Sequence, residues 1–238
     1  MSLASIESLA AKLDRELLAR DMARQGWHVL PNVLGERGCA DLRSSYCDHA
    51  LYRSTVTMQR HGFGRGEYRY FRYPLPDPVA ALREAFYSPL AQIANDWAAP
   101  LGRSQPYPAD HATYLAQCAL AGQPWPTPLI LRYGEGDYNC LHQDLYGAEH
   151  FPFQIAILLS RPGEDYEGGE FVITEQRPRM QSRAHVIPLR QGDAVIFAVN
   201  EAPRAGTRGT YRVKLRHGVS EIRRGERFTL GVIFHDAG

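Results

Sequence analysis

Beyond Pro128 the chain breaks into short runs of Val, Ile, Leu and Phe, each ended by Gly, Pro, Asp or Asn. Such runs are strands, because β-branched and aromatic side chains suit a pleated surface and the breakers supply turns. The pattern predicts strands over residues 129–133, 153–159, 169–174, 185–188, 194–199, 213–219 and 227–234. Many short strands at this spacing indicate a sandwich or a barrel.

Before about residue 125 the apolar spacing is helical. Ile6, Leu9, Leu13, Leu17 and Leu18 recur near a period of 3.6, which predicts a helix over 5–26. Further helices are predicted over 35–51, 77–97 and 110–121, the third opened by Asp77-Pro78 as cap and first turn. The expected architecture is α+β and one domain over 1–238. A mainly helical part, 1–125, buttresses a β-sandwich, 126–238. A hydrophobic fraction of 44% with 22% charged residues supports a core of that size.

Charge narrows the partners. The net charge is +1, so no bulk field draws the chain to nucleic acid or a membrane. Lys12 and Lys214 are the only lysines, so nearly all positive charge is arginine. That is either coding bias or a preference for planar, bidentate anion recognition. Cys39, Cys47, Cys118 and Cys140 form no CxxC pair, and the first thirty residues are charged throughout. No apolar run nears the ~18 residues of a membrane span. A cytoplasmic protein with reduced thiols is expected.

The segment Leu141-His142-Gln143-Asp144 carries the chemistry. On extended backbone, residues two apart share a face, so His142 and Asp144 can converge on one ion. An HxD alone is common. Two His and one carboxylate on one face of an octahedron, however, is the non-haem Fe(II) arrangement, with positions left open for a bidentate 2-oxo acid and O2. Of the nine histidines, His217 is the best third ligand, since it lies on a predicted strand before a turn-rich stretch. His28, His49, His61 and His111 lie in the helical part or its loops, His150 in a loop, and His185 and His235 on later strands, His235 close to the chain end. The metal and catalytic set is therefore His142, Asp144 and His217. Arg227 follows His217 by ten residues at the start of the last strand, where a guanidinium can pair bidentately with a carboxylate. The far carboxylate of 2-oxoglutarate needs such a partner, and Thr229 shares the face.

On these residues the chain resembles the 2-oxoglutarate/Fe(II) oxygenases. The Gly168-Gly169-Glu170-Phe171, Gly192-Asp193-Ala194 and Arg216-His217-Gly218-Val219 stretches match as well. The resemblance implies a double-stranded β-helix, or jelly roll, and Fe(II), 2-oxoglutarate and O2 as cofactor and co-substrates. It also implies Tyr133 as a hydrogen-bonding partner of the co-substrate. A closer likeness covers most of the chain, through Gly62 to Phe71, Leu141 to Gly147 and Gln176 to Arg183. It is to a bacterial family grouped as nucleic-acid oxygenases, which implies hydroxylation or demethylation of a damaged or methylated nucleobase.

Two segments bear on the substrate. Residues 60–73 interleave arginines with aromatics, including Arg65, Tyr68 and Tyr70. That suits phosphate contact and base stacking, or else a β-hairpin lid packed on the jelly roll. Arg177, Arg179 and Arg183 form a basic loop that meets phosphates or is simply solvated. A hydroxylase of a small molecule or protein side chain stays open as the alternative. A non-catalytic jelly-roll binding module is the third reading.

Overall fold

The computed structural model describes residues 6, 10, 13–103, 105–145, 147–207 and 209–238. The helix expected over 5–26 falls partly outside them. Its described part, α1 (Arg15–Gln25), starts where the Asp14 side chain accepts the Leu17 N–H at 2.9 Å, and it buries Leu18 and Met22. Helix α2 (Glu36–Ser45) stops short of the expected residue 51. Asp48 accepts the Ala50 N–H at 3.0 Å and holds a separate 3-10 turn, His49–Leu51. A short side chain that caps its own backbone competes with helix continuation. Helix α3 (Asp77–Asp96) has Pro76 at its N-cap, one residue earlier than expected, and buries Val79, Leu82, Phe86, Tyr87, Leu90 and Ile93. The short α4 (Ala98–Leu101) follows, and α5 (His111–Leu120) is capped by Asp110 through the Thr113 N–H at 2.8 Å.

The strands are β1 (Trp27–Leu30), β2 (Tyr52–Thr57), β3 (Gly64–Arg65), β4 (Glu67–Phe71), β5 (Leu129–Tyr133), β6 (Tyr138–His142), β7 (Phe153–Leu158) and β8 (Tyr166–Gly168). They continue with β9 (Phe171–Gln176), β10 (Arg183–Ile187), β11 (Ala194–Ala198), β12 (Glu201–Gly206), β13 (Gly209–Val219), β14 (Ile222–Gly225) and β15 (Arg227–Ile233). One antiparallel sheet has seven strands in the order β1-β11-β7-β15-β5-β4-β2. The other has six, β10-β9-β13-β6-β3 with β12 beside β13, and β8 pairs with β14.

All seven strands expected after Pro128 are present. Strands β1 to β4 come from the half expected to be mainly helical. They are short or only partly buried, so they lack the alternation that marks a strand in sequence. The arginine–aromatic segment supplies β3 and β4; β4 joins the large sheet between β2 and β5, and β3 pairs with β6 in the other sheet.

Strand β15 ties the helices to the interior. Arg227, Thr229, Gly231 and Ile233 line a cavity between the sheets. Phe228, Leu230 and Val232 alternate with them and are buried. On the helix side, the buried Arg83 of α3 donates from Nε to the Ile233 carbonyl (2.8 Å) and from Nη2 to the His235 carbonyl (2.8 Å). It also pairs with Asp236 at 2.6 Å. A buried charge so fully hydrogen-bonded fixes the chain end to the helical layer. No described helix is long and apolar enough to cross a membrane.

Candidate metal centre and its cavity

The cavity holds about 350 Å³. On one wall β13 pairs with β6 so that His217 sits opposite His142, with ring centroids 4.2 Å apart. Asp144 lies two residues past His142. Its Oδ1 is 3.4 Å from His142 Nε2, and its Oδ2 is 3.4 Å from His217 Nε2. One ligand atom from each residue lies within 4.8 Å of the others. Gln143 points the other way and donates to Asn200 Oδ1 (2.7 Å) and the Leu215 carbonyl (2.9 Å), fastening the motif from behind.

The protonation states suit a cation. His142 Nδ1 lies 2.7 Å from the Cys140 carbonyl, so it must carry the proton, which leaves the Nε2 lone pair for a ligand. Burial pushes the His142 pKa down, and the neighbouring His217 adds to this. Burial alone would raise Asp144. The hydrogen bond and charge of His217, then the charge of His142, outweigh it and hold the carboxyl at about 2. Gln154 helps, although its buried Nε2 stops short of a hydrogen bond.

Close approach of β13 to β6 depends on Gly218. A Cβ there would stand 2.6 Å from the Asn139 carbonyl oxygen. Gly218→Ala must part the strands beside the His217–His142 pair. We expect Fe(II) affinity to fall by about tenfold or more, within the range for losing a supporting contact. A fluorescence titration of Fe(II) checks this, and unchanged affinity would show that the strands part without moving the imidazoles.

Arg227 lines the same cavity and is 1% exposed. Its Nη1 donates to Thr229 Oγ1 at 2.6 Å, while Nε has no partner. Glu170 pairs instead with Arg223 at 3.7 Å. Tyr133 is fully buried, with its ring 5.8 Å from the guanidinium. Asn139 Nδ2 donates to its hydroxyl oxygen at 3.3 Å, so the O–H proton is free to donate elsewhere. Burial raises its pKa, which keeps that proton in place. Gly169 makes room for the arginine stem, since a Cβ there would meet Arg227 Cδ at 2.9 Å and Ile222 Cδ1 at 2.3 Å.

Tyr68 and Tyr70 also line the cavity. Arg53 caps Tyr70, with its guanidinium carbon 4.6 Å from the ring centroid and Nε donating to the Pro126 carbonyl at 2.9 Å. Arg65, Arg177, Arg179 and Arg183 are exposed and do not line it. Arg177 is occupied by Glu175 at 2.8 Å, and charges on flexible stems gain more from water than from a narrow interior. Sequence reading missed Arg53, Gln154 and His235 as cavity residues. Two signals pointed to the last two of them. Gln154 is the one polar residue of the run Phe153–Leu158, and His235 continues the two-residue period from Arg227.

A family model described as "Oxygenase, catalysing oxidative methylation of damaged DNA" (Oxygenase-NA) matches residues 66–237, and the chain belongs to that family. A protein of Mycobacterium tuberculosis, found in two strains, is 47% identical over 167 residues, which cover 70% of this chain and 72% of the relative. An oxidoreductase of the 2OG-Fe(II) oxygenase family from Burkholderia pseudomallei aligns with a TM-score of 0.55 at 16% identity, covering 95% of this chain and 94% of that one. A Trichoplax adhaerens prolyl hydroxylase, solved with a hypoxia inducible factor peptide, aligns at 0.56 and 11% identity, covering 98% and 92%. At such identities the likeness shows the fold, and it is the double-stranded β-helix expected from the sequence.

Proposed function

We propose that this oxygenase uses Fe(II), 2-oxoglutarate and O2, with His142, Asp144 and His217 holding the metal and Arg227 holding the far carboxylate of 2-oxoglutarate. The observation that carries this reading is the buried Arg227, which shares a cavity with the His-Asp-His cluster and ion-pairs with no carboxylate among the described residues. A buried cation needs an anionic partner, and a dicarboxylate that also reaches the metal supplies one. The donor set fits: two imidazoles and one ionised carboxylate match a hard, N/O-binding ion with positions left open.

When bound, iron would supply O2 activation, coupled to decarboxylation of 2-oxoglutarate. One substrate C–H, O2 and 2-oxoglutarate give C–OH, succinate and CO2. The chain's own residues do the rest. Arg227 and Thr229 grip the distal carboxylate, and Tyr133 donates its free O–H. Asp144 stays ionised across the physiological range. The apolar walls from Leu129, Ile155, Phe171 and Phe197 keep bulk water out.

For the substrate, the family description favours damaged DNA, and Tyr68, Tyr70 and Arg53 give the cavity the aromatic and cationic wall that a flipped base uses. Hydroxylation of an N-methyl group would release formaldehyde and the unmethylated base. The net charge of +1 favours the alternative, a small molecule or protein side chain, because it gives little pull on phosphates.

The test is succinate formation from 2-oxoglutarate under air with Fe(II). Arg227→Ala should raise the 2-oxoglutarate concentration at half-maximal rate by about 30-fold or more, the effect of stranding one member of a buried charge pair. Metal affinity should stay within a few-fold. A wild type that neither makes succinate nor binds 2-oxoglutarate sinks the reading.

A further inference from the structure

The catalytic reading leaves one sector of the cavity without a role. Its polar lining is Gln154, His235 and Thr127, beside the Arg53–Tyr70 stack. Thr127 is spent, since its hydroxyl donates to the His235 carbonyl. Gln154 and His235 are not.

Gln154 lies on β7, whose six residues are all buried. It is 5% exposed, and its Nε2 has no hydrogen-bond partner among the described residues. An amide buried unpaired in an apolar strand costs free energy that Met or Leu would avoid. A ligand that supplies an acceptor removes the cost.

His235 is 3% exposed, and its ring is held in one tautomer. The Phe151 N–H donates to Nδ1 at 3.1 Å, so the proton of the neutral ring sits on Nε2. Burial, then the charges of Arg83 and His150, pull its pKa down to about 4, so the ring is neutral at physiological pH. Arg83 and Thr127 pin the backbone carbonyl. His111, another buried histidine whose pKa burial lowers, makes the contrast: its Nε2 is satisfied by the Phe234 carbonyl at 2.8 Å. The His235 Nε2–H makes no such bond among the described residues, and its ring lines the cavity.

We propose that His235 and Gln154 form a preorganised pair of donors that selects the substrate by its hydrogen-bond acceptors, the carbonyl oxygen or ring nitrogen of a base laid against Tyr70. This rests on the nucleobase reading above and deepens it. Two rigid N–H donors in an apolar cavity discriminate strongly, because a substrate lacking the acceptors leaves both unpaired. The amide of Gln154 also lies near enough to Asp144 to act on its charge, so the selected edge sits beside the metal centre.

The experiment measures fluorescence anisotropy of two labelled single-stranded pentanucleotides, one with a central 3-methylcytosine and one with a central abasic site. The full chain is loaded with Mn(II) and 2-oxoglutarate so that no turnover occurs. Wild type should prefer the methylated probe. His235→Leu and Gln154→Leu should each lose roughly tenfold in affinity, the worth of one buried hydrogen bond, with the loss confined to the methylated probe. His235→Gln, which keeps a donor, should recover part of it. Retained preference in both leucine variants overturns the proposal, and so does equal loss on both probes, which marks a structural role. A wild type that binds the probes alike overturns it together with the nucleobase substrate. Arg227-dependent succinate formation would still stand for the cofactor reading, so the two failures are distinguishable.

Discussion

Asp144→Ala is expected to abolish iron-dependent turnover and to weaken Fe(II) binding by at least ~100-fold, beyond the 10–100-fold typical of losing a mere supporting residue. Asp144 is the only carboxylate in the cluster, and it reaches both imidazoles, with each Nε2 3.4 Å from one of its oxygens. Its removal takes away the one carboxylate that this cluster of described residues offers to the proposed dication. The protein already ionises this group at unusual depth: burial works against the charge, yet the two histidines hold the pKa at about 2. Asp144→Asn separates shape from charge, since it keeps the outline and loses the anion. Isothermal titration with Fe(II) under argon, beside a succinate assay, reads both effects. Wild-type iron affinity in the alanine variant would remove Asp144 from the ligand set.

Acid should unfold the metal-free protein well above the range where most carboxylates titrate. His111 and His235 are both buried, and burial first, then the Arg83 charge, lowers each pKa from 6.5 to about 4. In the unfolded chain they protonate near 6.5, and in the folded protein only near 4. Their contribution is therefore full above pH 6.5 and is lost as pH falls toward 4. By pH 5 the loss is about 2 kcal/mol for each ring, roughly 4 kcal/mol together. A domain is stable by only about 5–15 kcal/mol, so this is a large share. Asp144 adds its own loss as pH drops from 3.8 toward 2. Urea midpoints at pH 7.5 and 5.0 test this. The midpoint should drop sharply at pH 5.0, and His235→Gln should flatten the dependence. Equal midpoints would show that the two rings meet water or a counter-charge when folded.

How far these features could be read from the sequence depended on whether local pattern determined them. Seven strands of the second half were legible because they are long enough, and buried enough, for apolar runs to show, whereas β6, β8, β12 and β14 are short or partly exposed and were not expected. The His142, Asp144 and His217 grouping was legible because two of the three share a face at spacing two, and the third lies on a predicted strand. Strands β1 and β3 were not, since four and two residues carry no period. The 3-10 turn at His49 was missed because a single cap, Asp48, overrode the surrounding helical pattern. The exposed arginines were legible as charges but not as positions: nothing local to Arg177 shows that Glu175 occupies it while Arg53, far along the chain, faces the cavity. His235 and Gln154 needed the register of β7 beside β15, which is a property of pairing and not of either segment alone.

Strand β15 also behaves as a ruler. Arg227, Thr229, Gly231 and Ile233 line one cavity from β15, and His235 lines it from the bend two residues past the strand, so the proposed grip on the co-substrate and the proposed grip on the substrate stand at opposite ends of one strand. The separation between them can change only in steps of two residues, about 6.6 Å, because a single insertion would turn every graduation to the opposite face. Relatives built on this strand would therefore have to accommodate longer or shorter substrates through the opposite wall, or through side-chain size at the middle mark. That mark is Gly231, where an added Cβ would meet Leu129 at 3.4 Å without collision.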